Sequence, residues 1–485
     1  MKKLKDILHA IPVQEVVGQL DVEVVSLCFD SRLAVEGSLF VAIKGVHTDG
    51  HLFLDRAVEL GCRLVMVEVI PDVKIDGVTY IMVADTAYAL GIAASNFYDN
   101  PSADLKLVGV TGTNGKTTIA TLLFNLFDRL GYHVGLLSTV QNQIGDRIIP
   151  ATHTTPDPIA LNRLLREMVD EGCDYCFMEV SSHAVVQQRI AGLRFAGGIF
   201  SNITHDHLDF HLTFDNYIKA KKKFFDDLDR YAFALTNADE KNGAVMLQNT
   251  FAHKKNYGLR SNADFKAKVI ESHFDGMLLN IDGHEVWVKL VGGFNASNIM
   301  AVYGAAILLE QETMKVLTAL SQISGAEGRF EVIRAENGII GIVDYAHTPD
   351  AVENVLSTIQ HLRQKGQHII TVLGCGGDRD KTKRPEMAAV AAKMSDKVVI
   401  TSDNPRTEDP LQIIKDMEGG VPADKKKNVF SITDRREAIR AACHLAQSGD
   451  IVLIAGKGHE KYQDVNGVKN HFDDKEELEK TFNEQ

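Results

Sequence analysis

At 485 residues the chain has material for about three domains of ~150 residues, so a single small fold is excluded. Hydrophobic residues at 45% and charged residues at 24% exclude a disordered, collagen-like or coiled-coil chain. With 52 Lys and Arg against 65 Asp and Glu, the net charge of −13 disfavours nucleic acid and anionic membranes as partners. A small anionic ligand would need a local cluster of NH groups, cations or metal.

The start, Met1-Lys-Lys-Leu-Lys-Asp-Ile-Leu8, has basic residues but no apolar stretch of signal-peptide length following it, and the longest apolar run, Ile299 to Leu309, is too short to span a bilayer. A cytoplasmic protein is expected. Six cysteines (Cys28, Cys62, Cys173, Cys176, Cys375 and Cys443) do not make a disulfide framework in so long a chain. Cys173 and Cys176 lack a second Cys/His pair at zinc-finger spacing and are expected to pack as reduced thiols in or beside the apolar strand 175–178.

In chain order, short apolar strands over Ser38–Ile43, Arg63–Val69 and Thr79–Val83 alternate with helical stretches up to the turn-rich Tyr98-Asp-Asn-Pro101-Ser, which suits a small α/β domain. A second unit opens with a strand over Leu105–Val110, a glycine loop, a helix near Thr117–Leu130 and a strand over His133–Ser138. Another break falls near Ser324-Gly-Ala-Glu-Gly-Arg329. Beyond it the pattern predicts strands at Ile339–Val343, His368–Leu373, Lys397–Thr401, Val429–Ile432 and Asp450–Ile454, with helices such as Pro349–Gln364 and Arg435–Ala446 between them. Ligands of an open parallel sheet bind beyond the carboxyl ends of its strands. Four polar motifs fall there: Asp344-Tyr-Ala-His347, Gly374-Cys-Gly-Gly-Asp-Arg379-Asp, Asp403-Asn-Pro-Arg406 and Gly456-Lys-Gly-His-Glu460. The fold class is α/β in three domains: 1–101, 102–326 and 327–485.

Thr111-Gly-Thr-Asn-Gly-Lys116-Thr117-Thr118 follows an apolar strand and opens a helix, the setting in which backbone NH groups and a helix N-terminus hold phosphates. Lys116 would reach the terminal phosphates and Thr117 would offer its hydroxyl to magnesium. Val110 stands where the standard P-loop has its first glycine, so a different subclass is implied. Glu179 ends an apolar strand, where a parallel-sheet NTPase places a magnesium carboxylate. The segment His205-Asp-His207-Leu-Asp209-Phe-His211 admits two readings, a dinuclear zinc hydrolase with His-x-His-x-Asp spacing or a magnesium ligand set. Phe210, which separates Asp209 from His211, argues against zinc.

Gly112-Thr-Asn-Gly-Lys-Thr-Thr118, Glu179-Val-Ser-Ser-His183, Asp206-His-Leu-Asp209, Gly328-Arg-Phe-Glu331, Asp344-Tyr-Ala-His-Thr-Pro349 and Asp403-Asn-Pro-Arg406 occur in that order. The chain closely resembles the Mur ligases over essentially its whole length, and among them those that add the third residue to the UDP-linked muramoyl dipeptide in peptidoglycan synthesis. The resemblance implies an N-terminal domain holding the UDP end, a central ATPase domain, and a Rossmann-like C-terminal domain that closes over it.

By the same resemblance, Ser31 in Asp30-Ser-Arg32, together with Val46, His47, Thr48, His153, Thr154, Thr155, Ser181, Gln187 and Arg189, meets the UDP-muramoyl-dipeptide. His153 stands where some members have Asn. ATP contacts carry to Gly112, Thr113, Asn114, Gly115, Lys116, Thr117, Thr118, Asn298, Arg329 and Asp344. Lys219 and Lys221–Lys223 read on their own as a solvated helix face. The resemblance makes Lys221 an N-carboxylated lysine, whose carbamate oxygens suit magnesium where an ammonium cannot. The implied Mg2+ set is Thr117, Glu179, His207 and carboxylated Lys221; Lys116, Glu179, His207 and Lys221 form the catalytic group. Arg379, Asp403, Asn404, Pro405, Arg406, Gly456 and Glu460 would bind the incoming amino acid, expected to be meso-diaminopimelate rather than L-lysine because lysine has no second carboxylate for Arg406. A folylpolyglutamate synthase-like ligase and a nucleotide-switched binding protein are rival readings. The partners expected are small molecules only, on a monomer.

Overall fold

The computed structural model describes residues 1–45, 48–151 and 153–484. Three principal sheets organise them. The first has five strands in the order Val13–Val17, Thr79–Val83, Leu64–Val67, Ser38–Val41 and Ser26–Cys28. All its pairings are parallel except the one between Val13–Val17 and Thr79–Val83. Leu64–Val67 is apolar throughout and entirely buried, as a strand covered on both faces requires. The helix Thr86–Phe97 packs here, its first turn satisfied by the Asp85 side chain accepting from Tyr88 N.

The second sheet has eleven strands. Lys106–Thr111 lies in its parallel region between Tyr175–Glu179 and Gly197–Phe200, so all three carboxyl ends open on the same edge. The helices Lys116–Arg129 and Gly293–Leu308 share the core beneath it. The far side of the sheet is extended by the antiparallel strands Phe265–His273, Gly276–Ile281 and His284–Val288, to which the sequence reading assigned nothing. Their residues alternate with many exposed polar positions, which gives a weaker signal than a fully buried strand.

The third sheet runs Glu331–Arg334, Ile340–Asp344, Ile451–Ala455, Ile369–Cys375, Lys397–Ser402, Val429–Ser431, parallel after its first strand. Its five predicted strands form, each shifted at its ends by no more than two residues. The mixed α/β architecture agrees with the sequence reading. All six cysteines are buried and free, with Cys176 inside Tyr175–Glu179. Among the described residues, no helix is long and apolar enough to cross a membrane.

One helix departs from what its lysines suggest on their own. In Phe214–Asp226 the buried positions are Tyr217, Ala220, Lys221, Phe224 and Phe225, a helical stripe with a lysine in its middle. Lys222 and Lys223 instead pair outward with Asp226 and Asp227 at 2.6 and 2.7 Å. Lys221 therefore belongs to the core side of the helix rather than to a solvated face.

Candidate functional site

A cavity of about 970 Å3 lies where the carboxyl ends of the second and third sheets face each other. Its floor is the loop between Lys106–Thr111 and the helix Lys116–Arg129. Gly115 caps that helix in the left-handed region at φ 87°, and a Cβ there would fall 2.6 Å from Asn298 Oδ1. Asn298 thus supports the loop from behind and does not line the cavity, and the buried Thr118 does not either. Lys116 Nζ donates to Gly112 O at 2.9 Å and Thr113 O at 2.8 Å. Burial lowers its pKa, with Glu179 and Asp206 opposing.

Thr117 Oγ1 donates to Glu179 Oε1 at 2.9 Å, joining the loop to the end of the neighbouring strand. The same carboxylate accepts from Thr139 N at 2.7 Å and from Thr139 Oγ1 at 3.2 Å. Arg329, from the segment leading into the third sheet, donates Nη2 to Thr117 Oγ1 at 3.1 Å.

Lys221 Nζ reaches the other side of the loop, 2.8 Å from Gly112 O and 4.5 Å from the Tyr217 ring centre. Burial and then Lys116 push its pKa well below the usual lysine range, with Asp206 opposing, so the site disfavours the ammonium. His207 sits at φ 53°, its Nε2 3.3 Å from Asp206 Oδ2 and its ring edge-on to His183. The other two histidines of the cluster turn elsewhere: His211 Nε2 lies 2.9 Å from Ser182 Oγ, and His205 is directed toward Asp380 at 3.9 Å. The three imidazoles do not converge, so the cluster lacks the arrangement a dinuclear zinc centre needs. Among the described residues, no three His, Cys, Asp or Glu side chains converge for a metal. The donors that share the cavity are instead a hydroxyl, a carboxylate, an imidazole and a buried lysine amine, which would fit a hard cation if the amine carried CO2.

Of the residues expected to meet the dipeptide, His153, Thr154, Thr155, Ser181 and Arg189 line the cavity. Thr155 Oγ1 donates to Glu179 O at 2.8 Å, and Arg189 Nη1 donates to Thr155 O at 2.7 Å. Gln187 does not line it; its Oε1 accepts from Arg189 Nε and Nη2 at 2.9 and 2.6 Å, which fixes the guanidinium. Ser31 and Thr48 belong to the first sheet's loops and do not line this cavity, while Val46 and His47 lie outside the described residues.

The opposite wall comes from the third sheet. Arg379, Asp403, Asn404, Arg406, Gly456 and Glu460 line it, whereas Pro405 does not. Asn404 Nδ2 donates to Glu460 Oε2 at 2.6 Å, and Arg406, at φ 51°, donates Nη1 to Gly377 O at 2.6 Å. Asp403 Oδ2 is buried without a hydrogen bond, an acceptor left open at the site. Asp344 lies behind the wall: its oxygens accept from Phe330 N and Ala346 N, both at 2.7 Å, so it braces the Arg329 segment.

Residues 110–306 match the Mur ligase middle domain and residues 328–458 the Mur ligase glutamate ligase domain. A UDP-N-acetylmuramoyl-L-alanyl-D-glutamate--2,6-diaminopimelate ligase of Bacteroides fragilis is 57% identical over 480 residues, 99% of each chain. The chain belongs to the Mur ligases. A protein of the same description from Cytophaga hutchinsonii is 55% identical over 98% of this chain and 97% of its own. A solved structure bearing that description superposes with a TM-score of 0.70 at 32% identity, over 100% of this chain and 99% of the other. A folylpolyglutamate synthase from Thermotoga maritima shares the fold alone, with a TM-score of 0.59 at 14% identity over 77% of this chain and 90% of its own.

As a Mur ligase the chain is an ATP-dependent ligase, and several pairings in and beside its cavity escape sequence reasoning. Thr139 orients Glu179, and Asp206 pairs across the cavity with Lys383, while Asp350 accepts from Asn114 Nδ2 at 3.0 Å. These pairs join residues far apart in sequence, so no local pattern announces them. The nearest signal is the Lys383-Arg384 pair that opens a helix directly after the Gly374–Asp380 loop.

Proposed function

We propose that this Mur ligase joins meso-diaminopimelate to the D-Glu γ-carboxylate of UDP-MurNAc-L-Ala-D-Glu in cytoplasmic peptidoglycan synthesis, consuming ATP. The observation that carries this reading is the placement of a phosphate loop with its carboxylate on one wall of a single cavity and two guanidiniums, Arg379 and Arg406, on the other. A second carboxylate on the amino acid gives those arginines a partner that L-lysine lacks. We place the UDP end on the 1–101 domain, ATP on 102–326, the amino acid on 327–485, and the reaction in a monomer.

A carboxylate does not acylate an amine near neutral pH because oxide is a poor leaving group. Phosphorylation removes that obstacle. The loop NH groups and Lys116 hold the terminal phosphates and follow the charge that develops as the γ-phosphoryl group passes to the D-Glu oxygen. Thr155, Ser181 and Arg189 hold the dipeptide end so that its carboxylate lies in line. The incoming amine then attacks the acyl phosphate carbonyl, the C–O bond to phosphate breaks, and an amide, ADP and phosphate remain.

Thr117, Glu179, His207 and carboxylated Lys221 would hold Mg2+, which when bound shields phosphate charge and polarises the phosphoryl oxygens. Glu179 is kept in place by Thr139, and Lys221 is disposed to take up CO2 because burial and Lys116 disfavour its charged form. Contacts between the second and third sheets, Lys383 with Asp206 and Arg329 with Thr117, keep water from the acyl phosphate.

Phosphate release with ATP present tests this reading. It is expected to require both UDP-MurNAc-L-Ala-D-Glu and diaminopimelate. Release that needs the nucleotide alone, or that accepts L-lysine equally, contradicts it.

A further inference from the structure

Behind the amino-acid wall lies a cation that does not reach the cavity. The Lys457 side chain is fully buried, set between Gly456 at φ 117° and Gly458 at φ 52°. Its Nζ lies 3.1 Å from Asn404 Oδ1 and 3.3 Å from Glu460 Oε2. Asn404 Nδ2 donates to that same Oε2 at 2.6 Å, closing a triangle between two loops. The triangle decides which way the amide faces. Oδ1 accepts from Lys457 and, at 2.9 Å, from Asp464 N, which leaves Nδ2 for Glu460.

Burying an ammonium is costly unless it is paired, so a lysine here needs its carboxylate as much as the carboxylate needs the lysine. Other groups facing Glu460 do not replace it. Arg435 is committed to Asp474, with both its bonds at 2.7 Å, and Asp403 is another anion. Tyr345 approaches with its hydroxyl 3.4 Å from Oε1, and Asn404 is neutral. Arg435, Asp403, Tyr345, Asn404 and Lys457 are among the charged and polar side chains around this carboxylate, and the Tyr462 ring lies beside Lys457.

We propose that Lys457 is a positioning residue of the diamino-acid site, fixing the Asn404 amide and holding the Glu460 carboxylate as the receptor for the substrate's distal ammonium. This rests on the reading of the site as one for a diamino acid. Burial and then Asp403 push Glu460 up, while Lys457 and Asn404 oppose them. Without Lys457, Glu460 takes its proton at a higher pH and in that form offers no negative charge to an ammonium.

The test is steady-state phosphate release by K457M, E460Q and the double variant, from about pH 6.5 to about pH 9, with ATP and UDP-MurNAc-dipeptide saturating. K457M is expected to raise the KM for diaminopimelate at least ~30-fold near neutral pH, to change kcat less, and to regain affinity as pH rises. In the E460Q background the same substitution is expected to add less than ~3-fold, because its target is gone. A KM unchanged at every pH, a loss confined to kcat, or full additivity with E460Q overturns the role. Should K457M lack a cooperative thermal transition, K457Q, which keeps a hydrogen-bonding group without the charge, carries the same pH test. Wild-type enzyme that releases no phosphate in response to diaminopimelate overturns the reading of the site, and the role with it; wild-type turnover beside an unaltered K457M overturns the role alone.

Discussion

The Lys221 amine donates to the Gly112 carbonyl at 2.8 Å, so the helix Phe214–Asp226 is tied to the phosphate loop through a buried lysine. A buried amine this close to Lys116 is poorly stabilised as a cation, and CO2 would convert it into an anion that Lys116 attracts. Lys221→Ala is expected to lower kcat ~10²–10³-fold, the size of losing one preorganised group that stabilises transition-state charge. Wild-type enzyme in CO2-depleted buffer should lose activity and regain it with bicarbonate, and Lys221→Ala should not respond. Intact mass of the active-site peptide, handled mildly, should show the mass of one added CO2. Full activity with an unmodified lysine rules the carbamate out.

Arg406 makes a more selective prediction. Its guanidinium is aimed by the bond to Gly377 O, and its backbone is held by Asp464 O at 3.0 Å. Lysine keeps the charge but cannot present two parallel NH groups to a carboxylate. Arg406→Lys should therefore raise the KM for diaminopimelate about 10–100-fold, corresponding to ~1.5–3 kcal/mol of charge-assisted bonding, with the KM for ATP unchanged. An equal rise in both constants would show that the loop had collapsed instead.

Local physics makes much of this architecture legible in the amino-acid sequence. A strand buried from Leu107 onward, a glycine loop and a helix fall together at 106–129, and the parallel strands of the third sheet are rich in apolar residues. Lys221 reads wrongly without the resemblance because three adjacent lysines look solvated, although the spacing of Tyr217, Ala220, Phe224 and Phe225 places it on the apolar stripe. Thr139 and Lys383 act through partners distant in sequence, and contacts of that kind leave no period or motif; Asp206 and Lys457 stand inside quoted motifs, but their contacts with Lys383 and Asn404 are as distant. Ser31 and Thr48 show the reverse case, motif residues that the fold keeps outside the cavity.

Asp344 links the site to stability. Burial pushes its pKa up to about 6, against Arg329 and the NH groups of Phe330 and Ala346. The unfolded value is lower, near 3.8, so the native state holds the extra proton between those pH values. Its contribution to stability is thus complete below 3.8 and lost as pH rises through about 6, a change of roughly 3 kcal/mol for a shift of about two units. Asp344→Asn removes that slope and turns an amide NH2 toward a backbone NH, which should cost ~1–3 kcal/mol in acid. Urea unfolding across about pH 4 to 7 checks both effects. Parallel stability curves for the two proteins would contradict the assignment.

Lys383 and Asp206 bear on whether ATP use is coupled to amide formation. Lys383 opens the helix Lys383–Met394 beside the third sheet, Asp206 follows a strand of the second, and their side chains are 13% and 5% exposed. Burial acts most strongly on Asp206 and pushes it up, yet the cations around it prevail and hold it well below the usual carboxylate range. His207 is itself pushed down to about 3 by burial and is neutral near pH 7, so Lys383 is the neighbour that supplies the lasting positive charge. Breaking a buried pair costs ~3–5 kcal/mol because one charge is left behind, enough to favour separation of the two walls. Asn114 with Asp350 and Arg329 with Thr117 bridge the same gap and limit the opening. Lys383→Ala should therefore keep nucleotide binding while water reaches the acyl phosphate, so that phosphate released exceeds amide formed severalfold. Measuring both products in one reaction decides it. A ratio that stays at one while the rate falls would mean that the pair aligns substrates, and that water is excluded by the remaining contacts.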